Sequence, residues 1–134
     1  MKWMLEGLRS VLSMVAGLAA IQSFHFLAGL AFPALYADNP ASDPDRLAML
    51  LLAVGAGTLG SLAVGLVARR AVVAHLVVFL LLMALIDFGV VFGPYASQPV
   101  RFKAAILLTL PLQTFIGGHL AKRIRGPSRP ATPT

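Results

Sequence analysis

Residues 46–70 read RLAMLLLAVGAGTLGSLAVGLVARR, an apolar run bounded by arginines at both ends. A helix needs about 20 apolar residues to cross the hydrocarbon core of a bilayer, and this run is long enough. Small side chains recur at every fourth position, on one face of the helix: Ala53, Gly57, Ser61 and Gly65. Helices in lipid pack closely along such faces. The stretch therefore predicts a membrane span at the centre of a helical bundle.

The composition also indicates an integral membrane protein. The chain of 134 residues is 58% hydrophobic and only 12% charged, whereas about a quarter of the residues in a soluble domain are charged. Its net charge of +6 comes from Lys and Arg near the ends of apolar runs, which is typical of membrane topology and not of nucleic-acid binding. The absence of cysteine excludes disulfides, thiolate metal sites and cysteine nucleophiles.

Four apolar runs predict an all-α integral membrane four-helix bundle over residues 1–125, arranged up-down-up-down. The predicted spans cover about residues 10–32, 47–68, 71–92 and 104–121. Turn-forming residues at 33–46 predict a polar outer loop, and residues 126–134 predict a disordered, basic and Pro-rich tail. Pro111 is expected to kink the last span.

The distribution of Lys and Arg predicts the orientation. With the N-terminus inside, eight of these residues fall on the inner side and three on the outer side, namely Arg46, Arg101 and Lys103. Because inner loops carry the excess of Lys and Arg, both termini are predicted to be cytoplasmic.

The first span carries a second face of small side chains, formed by Ser13, Gly17 and Ala20. We expect this face to pack against Ala53, Gly57 and Ser61 of the second span. A weak similarity between residues 61–70 and 114–123 indicates duplicated hairpins. It is equally explained if inward-ending spans simply tend to finish in small residues and cations.

Polar side chains within the spans are candidate functional residues, because ionisable groups are costly at membrane depth. At 1.5 Å per residue, His25 of the first span lies at the same level as Asp87 of the third, near the outer surface, and Gln22 lies one turn below His25 on the same helix face. This polar cluster predicts either a site for a proton or a small ligand, or a hydrogen-bonded structural group.

His75 and His119 both lie near the inner ends of their spans. They could ligate a haem or pigment, or serve a quinone-associated subunit. Alternatively, they reach interfacial water and lipid phosphate. The sequence favours the second interpretation and so predicts neither cofactor nor metal site.

Thr109 and Gln113 belong to a small and polar stripe in the last span. They would line the path of a small oligomeric channel or transporter, or hold the bundle together through a bond between Gln113 and Ser61. The sequence contains no nucleophile elbow, phosphate loop, zinc pattern or carboxylate pair, so an enzyme is not predicted.

The last span ends in GGHLAKR at residues 117–123. Together with the four spans, the polar first outer loop and the basic inner turn, this pattern resembles small uncharacterised bacterial inner-membrane proteins, and more distantly DoxX-like proteins. The resemblance implies a compact four-helix bundle in the bacterial inner membrane and supplies no catalytic residue. The leading expectation is a non-catalytic accessory or scaffold subunit that packs in the lipid bilayer with itself or with a larger membrane protein.

Overall fold

The computed structural model describes residues 1–37, 40–68 and 70–126. Within those ranges the chain has no strands and forms helices α1 Lys2–Ala31, α2 Pro33–Ala37, α3 Asp43–Val67, α4 Val72–Phe92 and α5 Val100–Arg125. The four longer helices are long and apolar enough to cross a membrane. The prediction of an all-α chain with four long apolar helices is thus confirmed. The predicted disordered tail lies outside the described residues, apart from Gly126.

The helices extend beyond the apolar runs that predicted them. The first begins at Lys2 rather than near Ser10, and the last runs from Val100 to Arg125. Hydropathy marks only the part of a helix that suits hydrocarbon, whereas the backbone stays helical until a cap or a proline ends it. Helix α5 also continues through Pro111 without interruption.

The segment predicted as an irregular outer loop is partly helical. Helix α2 lies within it, and α3 begins there with a capping box. Asp45 N–H donates to Ser42 Oγ over 3.2 Å, and the Asp45 carboxylate accepts from Ser42 N–H over 3.3 Å. These reciprocal bonds satisfy backbone donors at the helix start. The loop prediction was therefore wrong for both helical stretches, because it weighed turn formers more heavily than capping residues.

The small face of α3 packs against α5, not against α1 as predicted. A side chain on Gly57 would collide with the Gln113 side chain. One turn further along, a Cβ on Gly117 would lie 2.6 Å from Ser61 Cβ. At the next turn, a Cβ on Gly65 would lie 2.6 Å from the Cβ of Ala121. The predicted pairing of Gly57 with α1 is corrected accordingly.

Helix α1 packs against the neighbouring face of α3. A Cβ placed on Gly17 would lie 2.6 Å from Val64 Cγ2 and 2.7 Å from Phe79 Cε2, closer than carbon atoms can approach. Gly60 approaches both Ile21 and the backbone carbonyl of Gly17. Val64 and Phe79 are fully buried. Gly17 thus lies where α1, α3 and α4 meet.

Polar contacts show which helix ends lie together. Arg101 bonds to Asp43 over 2.8 Å at the beginnings of α5 and α3. At their other ends, Arg125 Nη2 donates to the backbone carbonyls of Leu66 and Ala68, both over 2.6 Å. Helices α3 and α5 therefore run parallel, with their N-terminal ends together.

The beginning of α1 lies at the junction between α3 and α4. Glu6 pairs with Arg70 over 3.1 Å, and Ser10 Oγ lies 2.8 Å from His75 Nε2. The other end of α1 carries His25, whose Nδ1 lies 2.9 Å from the hydroxyl of Tyr36 in α2. The two ends of the bundle are therefore distinct, one bearing α2 and the other the junction between α3 and α4.

Candidate functional site

The bundle contains a cavity of about 700 Å³ and another of about 640 Å³. The second, called the α2 cavity here, receives side chains from all five helices and from the turn before α5. Most of its wall is apolar, and its polar residues are Gln22, His25, Tyr36, Asp87 and Tyr95. Its volume falls in the range of sites for small organic ligands, roughly 300–1,000 Å³.

The structure brings the three residues of the predicted polar cluster to this one cavity. Gln22 and His25 lie one turn apart on α1, and Asp87 reaches the cavity from α4. His25, however, contacts a side chain outside that cluster. Its Nδ1 lies 2.9 Å from the Tyr36 hydroxyl, and no hydrogen bond joins it to Asp87 in the described part of the chain.

The two tyrosines give the cavity neutral hydroxyl groups and aromatic rings. Burial raises the pKa of Tyr36 above 10.0, and the nearby Tyr95 raises it further. Burial likewise raises the pKa of Tyr95. Both phenols therefore stay protonated at physiological pH. The Tyr95 ring meets that of Phe102 edge to face, with centroids 5.7 Å apart, so the ring has a fixed place beside the cavity.

Among the described residues, Asp87 is the only acidic one in the cavity wall, and neither Lys nor Arg lines it. The residue is half-buried. Across the described residues, its carboxylate has neither an ion pair nor a hydrogen bond from another side chain. A carboxylate among apolar walls favours a positively charged group beside it, because the low dielectric strengthens their attraction.

A network of polar bonds holds the turn that carries Tyr95. Arg46 Nε donates to Gln98 Oε1 over 2.9 Å, and Arg46 Nη1 donates to Asp43 over 2.9 Å. Lys103 Nζ donates to the carbonyl of Ala96 over 3.0 Å. The planar guanidinium of Arg46 thus links the start of α3 to the turn before α5.

Sequence reasoning missed Tyr36, Tyr95 and Gln98, because Tyr36 lies in the predicted outer loop and the other two lie between the predicted third and fourth spans. Gln98 is only 8% exposed. The available signal was the single tyrosine in each outer segment, since amphipathic rings are enriched where apolar and aqueous surroundings meet.

Thr109 and Gln113 do not line the α2 cavity. Gln113 is 3% exposed and donates through Nε2 to Thr109 Oγ1 over 3.0 Å. The predicted bond from Gln113 to Ser61 does not form among the described residues. The amide instead fills the space beside Gly57, which places it in the contact between α3 and α5.

His75 and His119 lie on different surfaces. His75 faces α1, and its ring nitrogens lie 3.0 Å from the carbonyl of Ala71 and 2.8 Å from Ser10 Oγ. His119 instead lines the cavity between α4 and α5 and stacks on Phe115, with centroids 6.2 Å apart. The structure therefore does not bring the two together as axial ligands.

Within the described ranges, no three His, Asp or Glu side chains are grouped so that they could hold a metal ion. No family model matches the chain, and neither curated proteins nor solved structures show significant similarity to it. The resemblance to small bacterial inner-membrane proteins and to DoxX-like proteins stays a prediction.

Proposed function

We propose that this protein binds a small organic cation with an apolar body in the α2 cavity, as a non-catalytic protein of the bacterial inner membrane. The observation that carries the proposal is the unpaired Asp87 carboxylate in a cavity that, among the described residues, neither Lys nor Arg lines. A cation beside that carboxylate compensates its charge. The apolar walls contact the body of the ligand, and the rings of Tyr36 and Tyr95 add aromatic surface attractive to cations.

The composition of the wall favours an organic cation over a metal ion or an anion. Calcium takes six to eight oxygen ligands, and magnesium demands an octahedral set, whereas this wall supplies one carboxylate. An anion would meet Asp87 without a Lys or Arg to offset the repulsion. The cavity of about 640 Å³ also suits a molecule of many atoms.

The proposal includes four spans arranged up-down-up-down with both termini in the cytoplasm. It is supported by the meeting of like ends of α3 and α5, and by the bonds of Glu6 and Ser10 at the junction between α3 and α4. The excess of Lys and Arg at the end opposite α2 supports the cytoplasmic orientation. The α2 cavity then lies on the outer side of the membrane.

Binding of two probes of like shape and opposite charge tests the proposed function. Purified protein in detergent is dialysed against tetraphenylphosphonium or tetraphenylborate, with empty micelles as the blank. We expect saturable binding of the cation alone, weakened about tenfold or more by Asp87→Asn because the charge loses its partner. Equal binding of both probes would contradict the proposal.

The matched control is Glu6→Gln, which removes a carboxylate at the other end of the bundle. It should leave cation binding unchanged. Melting of helical circular dichroism establishes that both variants fold. If a folded Asp87→Asn variant binds the cation as well as the original protein does, Asp87 is not the site.

An accessory or scaffold role is the second candidate, favoured by the outward face of α4. Apolar side chains on that face are strongly exposed, including Leu81 and Leu85 at 65% and 72%. A larger membrane protein or a second copy would cover this face. Cysteines introduced at Leu81 and Leu85 and coupled to a photoreactive maleimide should then crosslink on illumination to one stoichiometric chain in native membranes, and crosslinks to lipid alone would exclude the role.

A further inference from the structure

A second large cavity, the α4–α5 groove, lies on another side of the bundle and plays no part in the proposed cation site. It encloses about 700 Å³ between the first half of α4 and the second half of α5. Leu76, Val77 and Leu80 form one wall, and Pro111 and Phe115 form the other. This part of the groove is therefore apolar on both sides.

Positive charge lies at one end of the groove only. Lys122 and Arg125 line that end, together with His119. Arg125 uses Nη2 for the carbonyls that end α3, whereas Lys122 has no bonded partner within the described ranges. The Lys122 ammonium is thus available to an anion at the mouth of the groove.

The length of the groove matches one leaflet of a bilayer. From Pro111 to Lys122 the helix rises roughly 16 Å at 1.5 Å per residue, and half of a hydrocarbon core is about 15 Å. An acyl chain lying along the apolar walls would therefore bring its headgroup to the level of Lys122. Basic pockets between membrane helices bind anionic lipid headgroups by this arrangement.

We propose that the α4–α5 groove binds one anionic phospholipid, with an acyl chain between α4 and α5 and its phosphate at Lys122. The walls are apolar where the chain lies, and the charge is positive where the phosphate lies. The site is independent of Asp87 and of the cation proposal, so each can fail without the other.

Native mass spectrometry of the full chain in detergent tests the site. Phosphatidylglycerol and phosphatidylcholine with identical acyl chains are added separately. We expect one phosphatidylglycerol to be retained in preference to phosphatidylcholine. Lys122→Gln should lower that preference about fivefold, the effect of one interfacial cation. Arg123→Gln removes a neighbouring charge that does not line the groove and should leave the preference unchanged.

A second pair of variants tests the apolar part. Val77→Trp fills the groove and should abolish retention of phosphatidylglycerol. Leu81→Trp is the control, because it adds the same ring to α4 outside the groove. Excess soluble glycerol phosphate should not displace the lipid, because it lacks the acyl chain. Equal retention of the two lipids, equal effects of Lys122→Gln and Arg123→Gln, or displacement by glycerol phosphate would each overturn the proposal. If Val77→Trp does not fold, the two charge variants decide alone.

Discussion

Gly117 lies where the backbones of α3 and α5 approach each other closely. A Cβ at this position would collide with the carbonyl oxygen of Thr58 and would lie 2.8 Å from the amide nitrogen of Leu62. Backbone atoms cannot rotate away as a side chain can, so the two helices would have to separate. We expect Gly117→Ala to lower the free energy of unfolding by about 1–3 kcal/mol, the usual cost of overpacking.

The measurement is unfolding of the purified protein with increasing denaturing detergent. Gly89→Ala is the matched control, because no other atom lies within 4 Å of the place its Cβ would take. Alanine is the better helix former there and should leave stability unchanged or raise it by up to about 1 kcal/mol. If both variants lost similar amounts of stability, the contact between α3 and α5 would not be the cause of the destabilisation.

At the scale of the helices, Arg46 connects the start of α3 to the turn before α5. Its guanidinium bonds to Gln98, to Asp43 and to the carbonyl of Ala41. Lysine retains the charge but lacks the planar set of donors. Arg46→Lys should therefore speed hydrogen exchange of residues 93–99 about fivefold, as expected from the loss of about 1 kcal/mol of hydrogen bonding.

Arg123→Lys makes the same replacement on α5, where the arginine is exposed. Exchange in residues 93–99 should not change in that variant. The connection assigned to Arg46 would be wrong if its replacement left the turn as protected as before. Faster exchange throughout the molecule would instead indicate global destabilisation.

For the whole molecule, the two ends of the bundle should face opposite sides of the membrane. Gly7 and Ser97 are exposed at opposite ends, and the chain has no cysteine to interfere with labelling. A membrane-impermeant maleimide applied to intact spheroplasts should label Ser97→Cys at once. It should label Gly7→Cys only after the membrane is opened. The opposite pattern would place the α2 cavity on the cytoplasmic side.

The four long helices were predictable because a continuous apolar run is read from the sequence without knowledge of its neighbours. Which helices pack against each other was not predictable. Faces of small side chains occur on α1, α3 and α5 alike. The sequence around Gly57 does not indicate whether Gly17 or Gln113 is its neighbour. Helix starts were misplaced for a related reason, since caps such as Ser42 act beyond the hydrophobic run.

The sequence predicted the candidate site only as far as the depth of a residue along its span determines which side chains can meet. His25 and Asp87 share a level, Gln22 lies one turn below His25, and the structure places all three around one cavity. Depth says nothing about direction around a helix axis. His75 and His119 also share a level, yet they face different neighbours. The contribution of Tyr36 depends on the path of a connecting segment, which hydropathy does not determine.

The contact between α3 and α5 also constrains how the protein is made. Helix α4 lies between them in the chain, so a ribosome completes α3 before α5 exists. At about 5–20 residues per second, α5 follows roughly 3–12 s later. Throughout that interval, the row from Gly57 to Gly65 lacks the helix that covers it in the complete fold. A chain released before α5 would keep this row uncovered permanently.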